Sequence, residues 1–287
     1  MEISRKDFIK GAAGGAGLLL LQSASPVLAE NSQTAAGKAM LIDVTKCVSC
    51  WWCYAACKDY NKLNETFKPD VENPPELAPD IWTTLHPVKK DGQWISRKKA
   101  CNHCTSAACV EVCPTGALSY NELGFVQYDK EKCSGCGYCA EFCPFEVPQM
   151  DTSMVTGVAI MNKCTFCQDR VANGEPTACA AACTTGAITF GERQELVSQG
   201  KTRVNELQNT NPDANMYGAN ELGGLHVMYV LDDSPETYGL PDNPVAPASN
   251  TVRNILSWIG SGLAIAVLAG FGLNYLVARI RMRKGET

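Results

Sequence analysis

Cysteine spacing constrains this chain more than any other feature. Its sixteen cysteines fall into four groups with none left over: Cys47, Cys50, Cys53, Cys57; Cys101, Cys104, Cys109, Cys113; Cys133, Cys136, Cys139, Cys143; and Cys164, Cys167, Cys179, Cys183. The third group, followed by Pro144, has the spacing C-x2-C-x2-C-x3-C-P, in which a close loop wraps three thiolates round one metal centre and points the fourth at a neighbour. The second group widens one gap to four residues and keeps Pro114, and the fourth group opens the same gap to eleven. One motif is therefore used four times. Three histidines, His86, His103 and His226, are too few to complete many mixed cysteine and histidine zinc sites, so the cysteines serve one another.

Thiolates are soft, anionic ligands, and four of them complete the coordination of a cube of four irons and four sulfides. Sixteen ligands match four [4Fe-4S] clusters. Disulfides and four-cysteine zinc sites are the competing uses. Disulfide scaffolds are normally short and do not repeat this spacing, and zinc sites do not follow a C-x2-C unit with cysteines two and three residues further on. In two-cluster ferredoxins the fourth cysteine of each run ligates the other cluster. Carried over by spacing, Cys101, Cys104, Cys109 and Cys143 hold one cluster, and Cys133, Cys136, Cys139 and Cys113 its partner. By elimination the outer groups give Cys47, Cys50, Cys53 with Cys183, and Cys164, Cys167, Cys179 with Cys57. No catalytic residue is expected.

A second echo lies outside the ligands, where Cys113 to Tyr120 (CPTGALSY) is repeated as Cys183 to Phe190 (CTTGAITF), each a turn followed by a short alternating strand. The expectation is an α+β fold of duplicated bacterial-ferredoxin-like (4Fe-4S) domains with insertions, plus one C-terminal transmembrane helix. Ile81 to Leu85 and Trp94 to Arg97 flank Asp91-Gly92 and predict a hairpin. Leucine and valine spacing predicts a helix over Arg193 to Asn209, and Leu225 to Leu231 reads as a strand. The organisation expected is an export signal at 1–29, a first motif with its hairpin insertion at 30–100, a central two-cluster unit at 101–150 and the fourth motif with its helix and strand at 151–233. A linker at 234–253, a membrane helix at 254–278 and a basic cytoplasmic tail at 279–287 follow. His103 reads as a solvent-facing loop residue, Trp51, Trp52 and Tyr54 as shields of a cluster, and Lys98 and Lys99 as an exposed, solvated pair.

Both ends carry membrane or export signals. A charged start, the eleven-residue apolar run Gly11 to Leu21 and the small-residue site Val27-Leu28-Ala29 read as an export signal too short to span a bilayer, the alternative being an uncleaved amphipathic terminus. Ser4-Arg5-Lys6-Asp7-Phe8-Ile9-Lys10 resembles a twin-arginine signal with Lys6 in place of the second arginine. Asn254 to Ala278 contains no charge and is long enough to cross as a helix, and Arg279, Arg281, Arg283 and Lys284 hold its far end in the cytoplasm. The cluster domain then lies on the periplasmic side of an inner membrane. Gly262, Ala266 and Gly270 form a small-residue stripe suited to a second membrane helix, or are incidental to a plain anchor. A formal net charge of −5 gives no basic excess, so nucleic acid is not an expected partner.

The four-group arrangement resembles the iron-sulfur beta subunits of membrane-bound molybdenum or tungsten oxidoreductases and of uptake hydrogenases. Gly223-Gly224-Leu225-His226-Val227-Met228-Tyr229-Val230-Leu231, then Tyr238-Gly239-Leu240-Pro241, then one C-terminal helix, is most similar to the beta subunit of respiratory formate dehydrogenase. The hydrogenase subunit remains a second reading, and an independent membrane-tethered ferredoxin a third. The resemblance implies an electron relay between a catalytic molybdopterin-containing subunit and a membrane cytochrome b that reduces quinone.

Overall fold

The computed structural model describes residues 36–64, 70–90, 92–154 and 156–246, with isolated helical positions between 267 and 279. The export signal at 1–29 and most of the membrane span at 254–278 lie outside the described residues; among those described, no helix is long and apolar enough to cross a membrane.

In chain order the elements are β1 (Lys38–Asp43), α1 (Trp52–Asn61), β2 (Thr84–Lys90), β3 (Gln93–Lys99), α2 (Ala108–Glu111), β4 (Leu118–Tyr120), β5 (Val126–Tyr128) and α3 (Tyr138–Glu141). There follow β6 (Gln149–Thr152), β7 (Ala159–Asn162), α4 (Gln168–Ala172), α5 (Ala178–Ala181), β8 (Ile188–Glu192), α6 (Arg193–Gln208), β9 (Asn215–Tyr217) and β10 (Val227–Leu231). The mixed helix and strand content fits the expected α+β class.

One four-stranded sheet, ordered β8-β1-β10-β9, joins early and late parts of the chain. β1 runs parallel to β10 and antiparallel to β8. Alternate residues of a strand face opposite sides, and both sides of this sheet are covered. Ala39, Leu41, Met228 and Val230 meet Leu196 and Val204 of α6. Met40, Ile42, Val227, Tyr229 and Leu231 join Trp51, Cys53, Phe125, Phe166 and Tyr238 in the main core. The sheet is thus the wall against which the cysteine loops pack. The hairpin pairs β2 with β3, its first strand starting at Thr84, because Ile81 is engaged in an isolated bridge with Ala78. The proline-rich stretch after Ser234 is docked as far as Pro241: Tyr238 and Leu240 are buried, and Tyr217 Oη donates to the Pro241 carbonyl at 2.9 Å.

The duplication is visible in backbone geometry. Asp43 accepts from Thr45 N–H at 3.0 Å ahead of Cys47, and Asp129 accepts from Glu131 N–H at 3.1 Å ahead of Cys133. Each carboxylate caps a single 3-10 turn that delivers the first cysteine of its loop. Ser49 and Trp51 then adopt φ of 54° and 64°, where Gly135 and Gly137 have 70° and 77°. The turns after Cys113 and Cys183 match through Gly116 and Gly186, with φ of 65° and 67°. The second and third groups form one half, and the fourth and first groups the other.

Candidate functional site

Cysteines distant in sequence line common cavities. Cys113, Cys133, Cys136 and Cys139 line one, Cys47, Cys50, Cys53 and Cys183 a second, and Cys57, Cys164, Cys167 and Cys179 a third. In each, three cysteines come from one group and the fourth from its partner group. The remaining four are neighbours electrostatically: burial raises the Cys104 thiol well above its ordinary range, and Cys101, Cys109 and Cys143 raise it further. All sixteen cysteines are free thiols. Among the described residues no three histidine, cysteine, aspartate or glutamate side chains converge closely enough to hold a single metal ion. Four thiols lining a common cavity are soft, anionic donors once deprotonated, which is the donor chemistry of a [4Fe-4S] cluster.

Short helices do the positioning. Cys53 and Cys57 sit one turn apart on α1, while α2, α3 and α5 each carry one cysteine, Cys109, Cys139 and Cys179. Backbone donors greet the sulfurs: Ala178 N–H reaches Cys167 Sγ at 3.5 Å and Ile188 N–H reaches Cys183 Sγ at 3.4 Å. At Cys113 burial is outweighed by the backbone N–H groups of Leu118, Thr115 and Ala117 and by the Thr115 hydroxyl, and its thiol is lowered. Cys133 is lowered in the same way, burial losing to N–H groups of Met161 and Gly135 and to the Tyr128 hydroxyl.

Elsewhere burial dominates. It pushes Cys57 and Cys167 up to about 12, helped in both by Cys164, and Cys139 up to about 11, helped by Cys136 and Cys133. Closely packed thiols that resist joint ionisation need a cationic core to deprotonate them, as metal binding does. Neighbouring sets also touch one another electrostatically. After burial, Cys179 contributes to the rise of Cys53, Cys101 to that of Cys164, and Cys139 to that of Cys109. Packing gives the order: Cys53 and Cys179 share the main core, Cys164 shares a second cluster with Cys101 and Cys143, and Cys104 and Cys109 share a third with Cys113, Cys133 and Cys139, so the sets stand in series as Cys47 set, Cys164 set, Cys101 set, Cys133 set. Only Cys50 and Cys136, at the two ends of that series, are exposed, whereas all four cysteines of the Cys164 set, Cys57, Cys164, Cys167 and Cys179, are buried.

Three expectations about other residues need correction. His103 does not face solvent: it is 0% exposed, wedged between Phe125 at 6.0 Å and Phe166 at 4.9 Å between ring centroids. Burial, with Lys163 and His226 nearby, holds its pKa well below the ordinary histidine value. Lys98 is not half of a solvated pair but 2% exposed, because the end of β3 packs against the turn at Val44–Lys46 and the first cysteine loop, where Ser96 Oγ meets Ser49 Oγ at 2.7 Å. Of the expected aromatic shields, Trp51 and Tyr54 are buried, but Trp52 is 58% exposed at the cavity rim. The sequence pattern also passed over Lys163, which is buried and donates to the Cys164 carbonyl at 3.0 Å. A run of charged residues reads as solvated surface, and only the packing of loops over strand ends reveals otherwise.

Two repeated halves with soft-ligand sets define a 4Fe-4S ferredoxin-like protein, and the family described as 4Fe-4S dicluster domain matches residues 93–193. Among similar proteins is the formate dehydrogenase-O iron-sulfur subunit of Escherichia coli (strain K12), 38% identical over 75% of this chain and 74% of the relative. The nitrate-inducible formate dehydrogenase iron-sulfur subunit of the same organism is 35% identical over 83% of this chain and 84% of its own. The chain belongs to the family of formate dehydrogenase iron-sulfur subunits. The hydrogenase-2 operon protein HybA of Escherichia coli O157:H7 is 33% identical over 96% of this chain and 95% of its own.

Proposed function

We propose that this chain is the electron-transfer subunit of a membrane-bound formate dehydrogenase, relaying electrons from a catalytic molybdopterin-containing subunit to a membrane cytochrome b and quinone. Each of the four cysteine sets holds one [4Fe-4S] cluster: Cys47, Cys50, Cys53, Cys183; Cys164, Cys167, Cys179, Cys57; Cys101, Cys104, Cys109, Cys143; and Cys133, Cys136, Cys139, Cys113. Bound there, the clusters supply one-electron redox chemistry. The observation that carries the reading is the serial order of the four sets, with exposed cysteines only at Cys50 and Cys136. Val48 and Trp52, 63% and 58% exposed, flank one end, and Tyr138, 46% exposed, flanks the other. Exposed apolar side chains beside each terminal set suit docking to partner subunits, and the Cys164 set between them is wholly buried. No residue of this chain meets formate. The span 254–278 anchors the subunit, with its cluster domain on the periplasmic side after export and the 279–287 tail in the cytoplasm.

The hydrogenase reading is kept because the HybA match covers nearly the whole chain. Adding formate, and separately hydrogen, to the oxidised membrane complex while following cluster absorbance separates the two. Rapid bleaching by formate alone supports the proposal. Bleaching by hydrogen alone transfers the chain to a hydrogenase, and purification without any large catalytic subunit leaves a tethered ferredoxin.

A further inference from the structure

Three lysines are buried to the same degree beside the cysteine loops: Lys58, Lys98 and Lys163. Lys58 Nζ lies 3.8 Å from an Asp80 carboxylate oxygen, and Lys163 Nζ donates to backbone carbonyls. Lys98 Nζ is buried and has no hydrogen-bond partner among the described residues. What surrounds it is sulfur. Lys98 lines the cavity of Cys47, Cys50, Cys53 and Cys183, and the thiols that act on it are, in order, Cys179, Cys164 and Cys53. It therefore stands between the first two sets of the series.

An unpaired buried ammonium costs several kcal/mol of lost hydration unless negative groups face it. Four thiolates round a cluster core make each of the two sites net negative, which provides those groups. We propose that Lys98 is a fixed positive charge shared by the Cys47 and Cys164 sites, which raises the reduction potentials of both relative to the other two sites. The inference rests on the four-cluster reading and adds a residue that sets the energy of one step. Reduction adds one electron to a site and breaks no bond. The added negative charge is stabilised by the ammonium, and the effect expected on each one-electron equilibrium is on the order of tenfold.

The test is a redox titration, followed by electron paramagnetic resonance, of the anaerobically purified full-length chain in its native complex, comparing Lys98→Met with the unaltered protein. Iron and sulfide content are measured on the same samples. The expected result is unchanged iron, two midpoint potentials moved negative by about 59 mV for each factor of ten, and two unmoved. Lys98→Arg, which keeps the charge, restores the potentials. Full iron with no potential moved, or with all four moved equally, overturns the role. If Lys98→Met loses iron, Lys98→Arg decides: full iron and near-native potentials support a requirement for charge, while iron loss there too means that lysine's shape is what matters and overturns it. A native complex with fewer than four clusters would instead defeat the underlying reading, whatever Lys98 does.

Discussion

Gly135 and Gly137 lie in the same cysteine loop, have nearly the same φ, 70° and 77°, and have opposite surroundings. An alanine at either position pays the left-handed penalty, about 1–2 kcal/mol. That penalty is tolerable in this loop, since Ser49 and Trp51 occupy the equivalent positions of the other half with φ of 54° and 64°. A Cβ at Gly137 meets nothing within 4 Å, whereas at Gly135 it falls 2.1 Å from the Ala159 carbonyl oxygen. That oxygen belongs to the first residue of β7, so the loop itself must retreat by about 1 Å, and overpacking of this kind costs a further 1–3 kcal/mol or so. The retreat displaces Cys133 and Cys136 on either side of the clash. Gly135→Ala should therefore lower unfolding stability by about 2–5 kcal/mol and reduce iron occupancy of that site. Gly137→Ala should cost about 1–2 kcal/mol and keep full iron. Anaerobic denaturant unfolding and colorimetric iron analysis of both variants provide the comparison. Equal losses from the two would refute the steric argument.

Three further outcomes are expected. Cys143→Ser should abolish the spectroscopic signature of the site shared with Cys101, Cys104 and Cys109; loss of only the signature of Cys133, Cys136 and Cys139 would defeat cross-ligation. His226, buried with Nδ1 2.8 Å from the Lys38 carbonyl, has its pKa lowered to about 4, chiefly by burial. The unfolded chain takes up that proton first as pH falls, so stability should drop between about pH 6.5 and 4 by up to about 1.4 kcal/mol per unit. Unfolding of His226→Asn should show a shallower slope over that window, and an unchanged slope would assign the acid sensitivity elsewhere. Truncation after Asn250 should release a folded, cluster-containing protein from the membrane fraction, and retention in the bilayer would disprove the anchor at 254–278.

How much of this was legible in the sequence depends on the kind of signal. Ligand grouping is read from the sequence because a two-residue gap leaves a loop few ways to turn, and three of the expected fours, two of them paired by elimination, line common cavities. The helix at Arg193–Gln208 and the strand at Val227–Leu231 followed from apolar periodicity. What periodicity does not encode is which distant strands become neighbours: nothing local in Lys38–Asp43 announces its parallel pairing with β10. The serial order of the sites depends on the other neighbour of β1, the antiparallel β8 that follows Cys183, because that pairing brings the first cysteine group against the last. Lys98 and His103 were misjudged for a related reason. Their polarity predicts exposure, and their burial is created by loops far away in the chain.

The claim on which the rest depends is that four complete ligand sets hold four clusters. Acid-labile sulfide and iron, measured against protein mass in the anaerobically purified complex after subtracting the iron of partner chains, test it most directly. The account predicts about sixteen of each for this chain. Iron near twelve, with one cysteine set open to alkylation in the native state, would contradict it.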